Sequence, residues 1–138
     1  MRNEPWLAAL LVVLLLAACP AQAEDCPAKT TQMDDILVAL NEAQSCDRAM
    51  KVFEACEYVA SGDVQFGAVV EKKCERDFLD QMRKPKKQAY AREMRVCDRK
   101  YRNESGTMSR SFTAFCRAMV AQRYSHEALK VATPSGRR

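Results

Sequence analysis

The sequence predicts an all-α fold, a small disulfide-stapled bundle of four to five helices. Apolar residues recur at spacings of three and four along most of the chain, and no alternating stretch is long enough for a strand. Only four Gly and five Pro punctuate 138 residues, of which 48% are hydrophobic and 29% charged, unlike a turn-rich sandwich, a collagen-like repeat or a disordered chain. Seven Cys are present, a count that points to a covalent framework in a chain this short. The length itself suits one domain and argues against separate cofactor and substrate halves.

The chain opens on an export signal. Leu7 to Ala18 form a twelve-residue apolar run behind Arg2, shorter than the about 20 residues that a membrane-spanning helix needs. Ala21 and Ala23 follow in the Ala-x-Ala arrangement that a signal peptidase accepts, so residues 1–23 are expected to be removed and the mature chain to begin at Glu24. A second reading competes, because Leu16-Ala17-Ala18-Cys19 resembles the bacterial lipobox, in which Cys19 is lipidated and anchors the protein to the inner or outer membrane. Pro20 directly after Cys19 favours cleavage after Ala23, and with it a periplasmic or secreted protein. Arg2 and Glu4 cancel, so the net charge of +4 belongs to the mature domain. This mildly basic balance suits an acidic partner or an anionic envelope surface and is too weak to argue for nucleic acid.

Either processing route leaves Cys26, Cys46, Cys56, Cys74, Cys97 and Cys116, an even number that predicts three disulfides in an exported chain. Neighbouring cysteines are separated by 19, 9, 17, 22 and 18 residues, so no Cys-x-x-Cys pair exists for redox exchange, tetrahedral zinc or haem attachment. No metal or cofactor is expected. Of the fifteen possible pairings, Cys97 with Cys116 is favoured, because the two lie nearly symmetrically about the turn at Ser105-Gly106. Cys74 competes for Cys97 across Pro85, and Cys46 or Cys56 is placed to meet Cys74 across Gly62.

Met33, Ile36, Leu37, Leu40 and Ala43 predict a first helix over 31–44, with Thr30 or Thr31 as its N-cap and Asp34 and Asp35 in the first turn, where the helix dipole favours them. Cys46, Ala49, Met50, Phe53, Cys56 and Ala60 predict a second, capped by Ser45 and stopped at Ser61-Gly62-Asp63. Phe66, Val69, Val70, Cys74, Phe78 and Met82 mark a third over 65–83, ended ahead of Pro85 because the residue before a proline is pushed out of the α region. Tyr90, Met94, Cys97 and Tyr101 mark a fourth, closed by Asn103-Glu104-Ser105-Gly106. Met108, Phe112, Phe115, Cys116, Met119 and Val120 mark the apolar stripe of a fifth that runs to about Ala128. The helical domain is expected over 24–131. Thr133 to Arg138 carries no apolar anchor, so 132–138 reads as a flexible basic tail.

The segments Cys56-Glu57-Tyr58, Gly62-Asp63-Val64, Cys74-Glu75-Arg76-Asp77-Phe78-Leu79, Cys97-Asp98-Arg99-Lys100-Tyr101, Gly106-Thr107-Met108-Ser109-Arg110-Ser111 and Phe115-Cys116-Arg117-Ala118 together resemble the LprI-type lysozyme inhibitor family. These are small exported bacterial helical proteins, often lipoproteins, and the likeness spans about residues 46–125. The chain departs from the pattern in lacking a closely spaced first Cys pair and a Gln-x-x-Trp segment, since its only Trp, Trp6, lies in the leader. The resemblance implies a non-enzymatic, protein-binding function with lysozyme as the partner.

The residues themselves point away from catalysis. His126 is the only His, so no triad is available, and no Gly-x-Ser-x-Gly motif places a nucleophile on a strained turn. The run Arg83-Lys84-Pro85-Lys86-Lys87 is expected to lie in a turn, for which a solvated loop is the favoured reading and cationic side chains projecting into a partner the functional one. A lysozyme cleft works with two carboxylates, and inserted cations would meet them through charge-assisted hydrogen bonds. The strongly basic lysozymes of the common animal type would resist long-range approach. Phe66, in the loop Ser61 to Gly67, is a second candidate contact, but core packing is its favoured reading. A different class of function is a structural or chaperone-like periplasmic protein that binds peptidoglycan, lipid or another envelope protein through the basic face between the third and fourth helices.

Overall fold

Five helices and no strand make up residues 25–133, the part of the chain described by a computed structural model. The expected signal peptide, the expected cleavage site after Ala23, the candidate lipid site Cys19 and residues 134–138 lie outside the described residues. The helices are α1 (Met33–Glu42), α2 (Cys46–Cys56), α3 (Asp63–Glu75), α4 (Lys84–Lys100) and α5 (Thr107–Ala132). Among the described residues no helix is long and apolar enough to cross a membrane.

At the centre, α3 and α5 run parallel. Asp63 bonds Ser111, Gly67 abuts Ala114 and Glu71 pairs with Arg117, so positions on both helices advance together. The two backbones approach so closely that a Cβ built on Gly67 would lie 2.9 Å from the Cβ of Ala114 and 3.1 Å from its carbonyl oxygen. On α5 the buried stripe is accordingly small: Ser111, Ala114, Ala118, Ala121 and Ser125, with Tyr124 beside it. The larger core residues come from the other side, where α1 and α2 supply Ile36, Leu40, Met50 and Phe53 and α3 adds Phe66 and Val70. α4 returns antiparallel along α5, as the descending pairs Cys97–Cys116, Glu93–Tyr124 and Lys86–Glu127 show.

The disulfides are Cys26–Cys56, Cys46–Cys74 and Cys97–Cys116. Two of the three sequence expectations for pairing are met, Cys97 with Cys116 and Cys46 with Cys74, and Cys26 takes the remaining Cys56. Their sequence separations are 30, 28 and 19 residues. By the chain-entropy relation such closures contribute about 3 to 4 kcal/mol each. Three structural disulfides are the covalent pattern of a protein exported to an oxidising compartment.

Several boundaries differ from expectation for local reasons. Gln32, not Thr30 or Thr31, occupies the N-cap of α1, and the Thr30 hydroxyl accepts from the Gln32 N–H at 3.1 Å and donates to Asp35. Ser45 caps α2 as expected, its hydroxyl accepting from the Arg48 N–H at 3.1 Å. α2 stops at Cys56 rather than near residue 60, because Asp63 gathers the following loop: its carboxylate accepts from the N–H groups of Tyr58 at 2.8 Å and Ala60 at 3.2 Å. α3 starts at Asp63 and ends at Glu75, and 76–81 form tight turns that carry Asp77 to Ser125 and Phe78 into an aromatic cluster. Pro85 does not separate two helices; it sits in the first turn of α4, where its set φ and missing N–H fit. α5 runs through Ala132, so residue 132 is helical rather than the start of the expected tail, and Thr133 closes the helix on the Leu129 carbonyl at 3.1 Å.

The α3–α5 contact yields a direct test. Gly67→Val should lower the urea midpoint by the equivalent of about 1 to 3 kcal/mol, the range for overpacking, whereas Val64→Ala, on an exposed position of the same helix, should stay within about 0.5 kcal/mol.

Candidate protein-binding surface

The basic run forms a ledge at the start of α4. Arg83 is the N-cap residue, makes no side-chain cap bond, and is followed in the first turn by Lys84, Pro85, Lys86 and Lys87. Lys84, Lys86 and Lys87 are therefore in the first turn of a helix rather than in the expected turn between two helices. All four cations are exposed, and no acidic residue occupies the turn. Lys86 reaches Glu127 at 3.4 Å. Arg83, Lys84 and Lys87 make no ion pair within 4 Å among the described residues. Cations at the positive end of a helix oppose its dipole, at a cost of a few tenths of a kcal/mol each at about zero screening. Of the four, only Lys86 has an ion-pair partner among the described residues.

Beneath the ledge is an aromatic mount. Phe78, Tyr90 and Tyr124 form a triangle with centroid separations of 5.1, 5.0 and 5.7 Å. The Tyr90 hydroxyl donates to Glu75 at 2.9 Å and the Tyr124 hydroxyl to Glu93 at 2.7 Å. Lys86 and Arg123 both lie over the Tyr124 ring, at 5.9 and 4.9 Å from its centroid, and Arg123 also pairs with Glu93 and Glu127. Burial and then the bond to Glu93 push the Tyr124 phenol up to about 12, and burial with the bond to Glu75 raises Tyr90 further. Burial also raises Glu75 above the usual carboxylate range.

A second polar centre locks the three long helices together. Arg117 of α5 donates to Glu71 of α3 through Nε at 2.9 Å and Nη2 at 2.7 Å, and to Asp98 of α4 through Nη1 at 2.9 and 3.1 Å. The hydrogen bonds to Glu71 hold its guanidinium firmly in the charged form. Arg117 also lines an open groove of about 870 Å³ between α3 and α5, together with Val64, Ala68, Ala114 and Arg110. A separate groove of about 530 Å³ runs along the other side of α5, lined by Tyr101, Phe112, Phe115, Met119 and Val120.

The remaining candidates are placed plainly. Phe66 is fully buried, packed edge-on against Phe53 and tilted against Tyr58, so it is core and offers no contact to a partner. Phe66 lies in the first turn of α3 rather than in an exposed loop, so core packing, the favoured reading, holds and the alternative of a surface anchor does not. His126 lies against Asp47 of α2, which also accepts from Gln122 at 2.8 Å. All six cysteines are in disulfides. Among the described residues no group of His, Cys, Asp or Glu is placed to hold a metal ion. Sequence reasoning missed Asp63 and Arg117; the signal for Arg117 is a charged residue on the small-residue side of α5, between Ala114 and Ala118. No protein-family model matches the chain, and no curated protein or solved structure matches it either.

The mount sets an alkaline limit on the ledge. A phenol in the unfolded chain ionises near pH 10, whereas Tyr124 holds its proton to about 12 and Tyr90 holds it longer. Their stabilisation is complete below pH 10 and is lost as the pH rises from 10 towards 12. Stability measured by urea titration should therefore fall through that window, and Tyr124→Phe should flatten the fall.

Proposed function

We propose that this is an exported, non-enzymatic protein-binding domain that presents the ledge Arg83, Lys84, Lys86 and Lys87 to an acidic site on a partner, with the carboxylate-lined cleft of a lysozyme as that site. The observation that carries the reading is the set of three cations, Arg83, Lys84 and Lys87, that are exposed, lack an ion-pair partner among the described residues, and crowd the end of a helix whose dipole disfavours them. The aromatic triangle and the Lys86–Glu127 pair hold the backbone of this end in place, so little backbone ordering remains to be lost on binding. Charge-assisted hydrogen bonds from lysine and arginine to carboxylates are short and strong where water is excluded. The resemblance to the LprI-type inhibitors supplies lysozyme as the partner, and the three disulfides agree with a protein that works outside the cytoplasm. Export by cleavage after Ala23, in preference to lipidation at Cys19, belongs to the same proposal.

The test is lysis of a cell-wall suspension by lysozymes of several types, with and without the oxidised protein. Saturable inhibition of at least one type is expected. The combined change Lys84→Glu, Lys86→Glu and Lys87→Glu should abolish it, and Lys84→Glu alone should weaken it by about tenfold or more, with the helical circular-dichroism signal unchanged. Inhibition that survives the triple change would remove the ledge from the contact, and folded protein that inhibits no lysozyme would remove lysozyme as the partner.

A further inference from the structure

α5 carries two apolar faces, and the fold buries the smaller one. Met108, Phe112 and Met119 remain 53%, 39% and 58% exposed, while the Ala and Ser stripe about a quarter-turn away is packed against α3. Helices ordinarily turn their largest apolar residues inward. Here the close approach at Gly67 reserves the inner face for small side chains. Two of the displaced residues, Phe112 and Met119, line the groove of about 530 Å³ beside α4, within the size range of small-molecule sites.

The distribution of charge in this groove selects an occupant. Its walls are Tyr101, Phe112, Phe115, Met119 and Val120, with the Cys97–Cys116 disulfide beside them. Phe115 is anchored from behind by stacking on Phe53 at 3.9 Å, and Phe112 is tilted against Tyr101 at 5.6 Å. Polar groups stand at the two ends. At one end, Gln122 and His126 are engaged by Asp47, and Arg123 by Glu93 and Glu127, so this end carries no uncommitted cation. At the other, Lys100 makes no ion pair among the described residues, and its Nζ lies 5.0 Å from the centroid of the Tyr101 ring.

We infer that this groove binds a single-chain fatty-acid anion, with the hydrocarbon chain along Phe112, Phe115 and Met119 and the carboxylate at Lys100. One open cation at one end matches a ligand with one negative charge at one end. The apolar walls match a body that needs no hydrogen-bond partners. Met119, flexible and polarisable, can adapt to a chain that itself has many conformers. The site is separate from the ledge on α4 and does not depend on the proposed partner.

Calorimetric titration of the full oxidised protein with octanoate, decanoate and dodecanoate, each below its micelle concentration, tests the inference. Saturable binding of one equivalent is expected, with affinity rising roughly tenfold or more from octanoate to dodecanoate as methylenes are buried. Dodecyltrimethylammonium should bind at least about tenfold more weakly than dodecanoate, and Lys100→Glu should reverse that preference. Met119→Glu and Phe112→Glu, both at exposed positions, should each weaken dodecanoate by about tenfold with the fold retained by circular dichroism. The triple ledge variant should bind dodecanoate like the native protein. Equal affinity for the anionic and cationic amphiphiles, indifference to Lys100→Glu or Met119→Glu, or no saturable binding of dodecanoate would overturn the assignment.

Discussion

The parallel contact between α3 and α5 governs how the rest of the molecule is arranged, because it joins two blocks that no disulfide joins. Cys26–Cys56 and Cys46–Cys74 tie the N-terminal segment, α2 and α3 into one unit, and Cys97–Cys116 ties α4 to α5. Between these units the chain is held by packing and polar bonds alone. Gly67 admits Ala114, and the seam is closed at both ends by a carboxylate–serine bond, Asp63 with Ser111 and Asp77 with Ser125. Small residues at the seam make a close approach possible. Carboxylates at its ends make it specific, since sliding one helix along the other would strand a buried acceptor.

Asp63 shows how much one buried group can organise. It is fully inaccessible, and its two oxygens accept from Tyr58, Ala60 and Ser111. The loop it gathers contains Val59 at φ 52°, a left-handed conformation that a β-branched side chain rarely adopts. Such strain costs on the order of 1 to 2 kcal/mol and persists only where surrounding bonds over-determine it. The two backbone bonds to Asp63 on either side of Val59 do this. The same carboxylate thus ends α2, starts α3 and fixes one end of the central seam.

The helical class and the covalent framework were legible because they rest on periodicity and cysteine parity. The Cys97–Cys116 pairing followed from symmetry about a turn, and Ser45 from the preference of hydroxyls for N-caps. The orientation of α5 was not legible. Its stripe Met108, Phe112, Phe115 and Met119 has helical spacing as good as that of Ser111, Ala114, Ala118, Ala121 and Ser125, and hydrophobicity alone selects the larger residues. What decides against them is the glycine on a different helix, 47 positions away from Ala114, whose role appears only once the two are face to face. The basic run was visible as a cluster, but proline was read as a breaker when its missing N–H suits the first turn equally well. Core packing of Phe66, favoured over a surface contact despite its neighbouring glycines, is what the structure has.

The charge on the ledge and the placement of the staples are physically linked. Four cations within five residues repel one another and oppose the helix dipole, so the first turn of α4 would fray if it stood alone. It does not stand alone. Tyr90 is docked two turns further on between Phe78 and Tyr124, and Cys97 is bonded to α5 two turns beyond that. The closure entropy of that disulfide, about 3 kcal/mol for its 19-residue separation, exceeds the summed dipole penalty of the cations, which at a few tenths each reaches about 1 to 2 kcal/mol. The repulsion is therefore borne by a helix that is already anchored downstream. The four cations thus stand exposed and crowded on a helix whose backbone is anchored downstream, and the folded chain carries their repulsion.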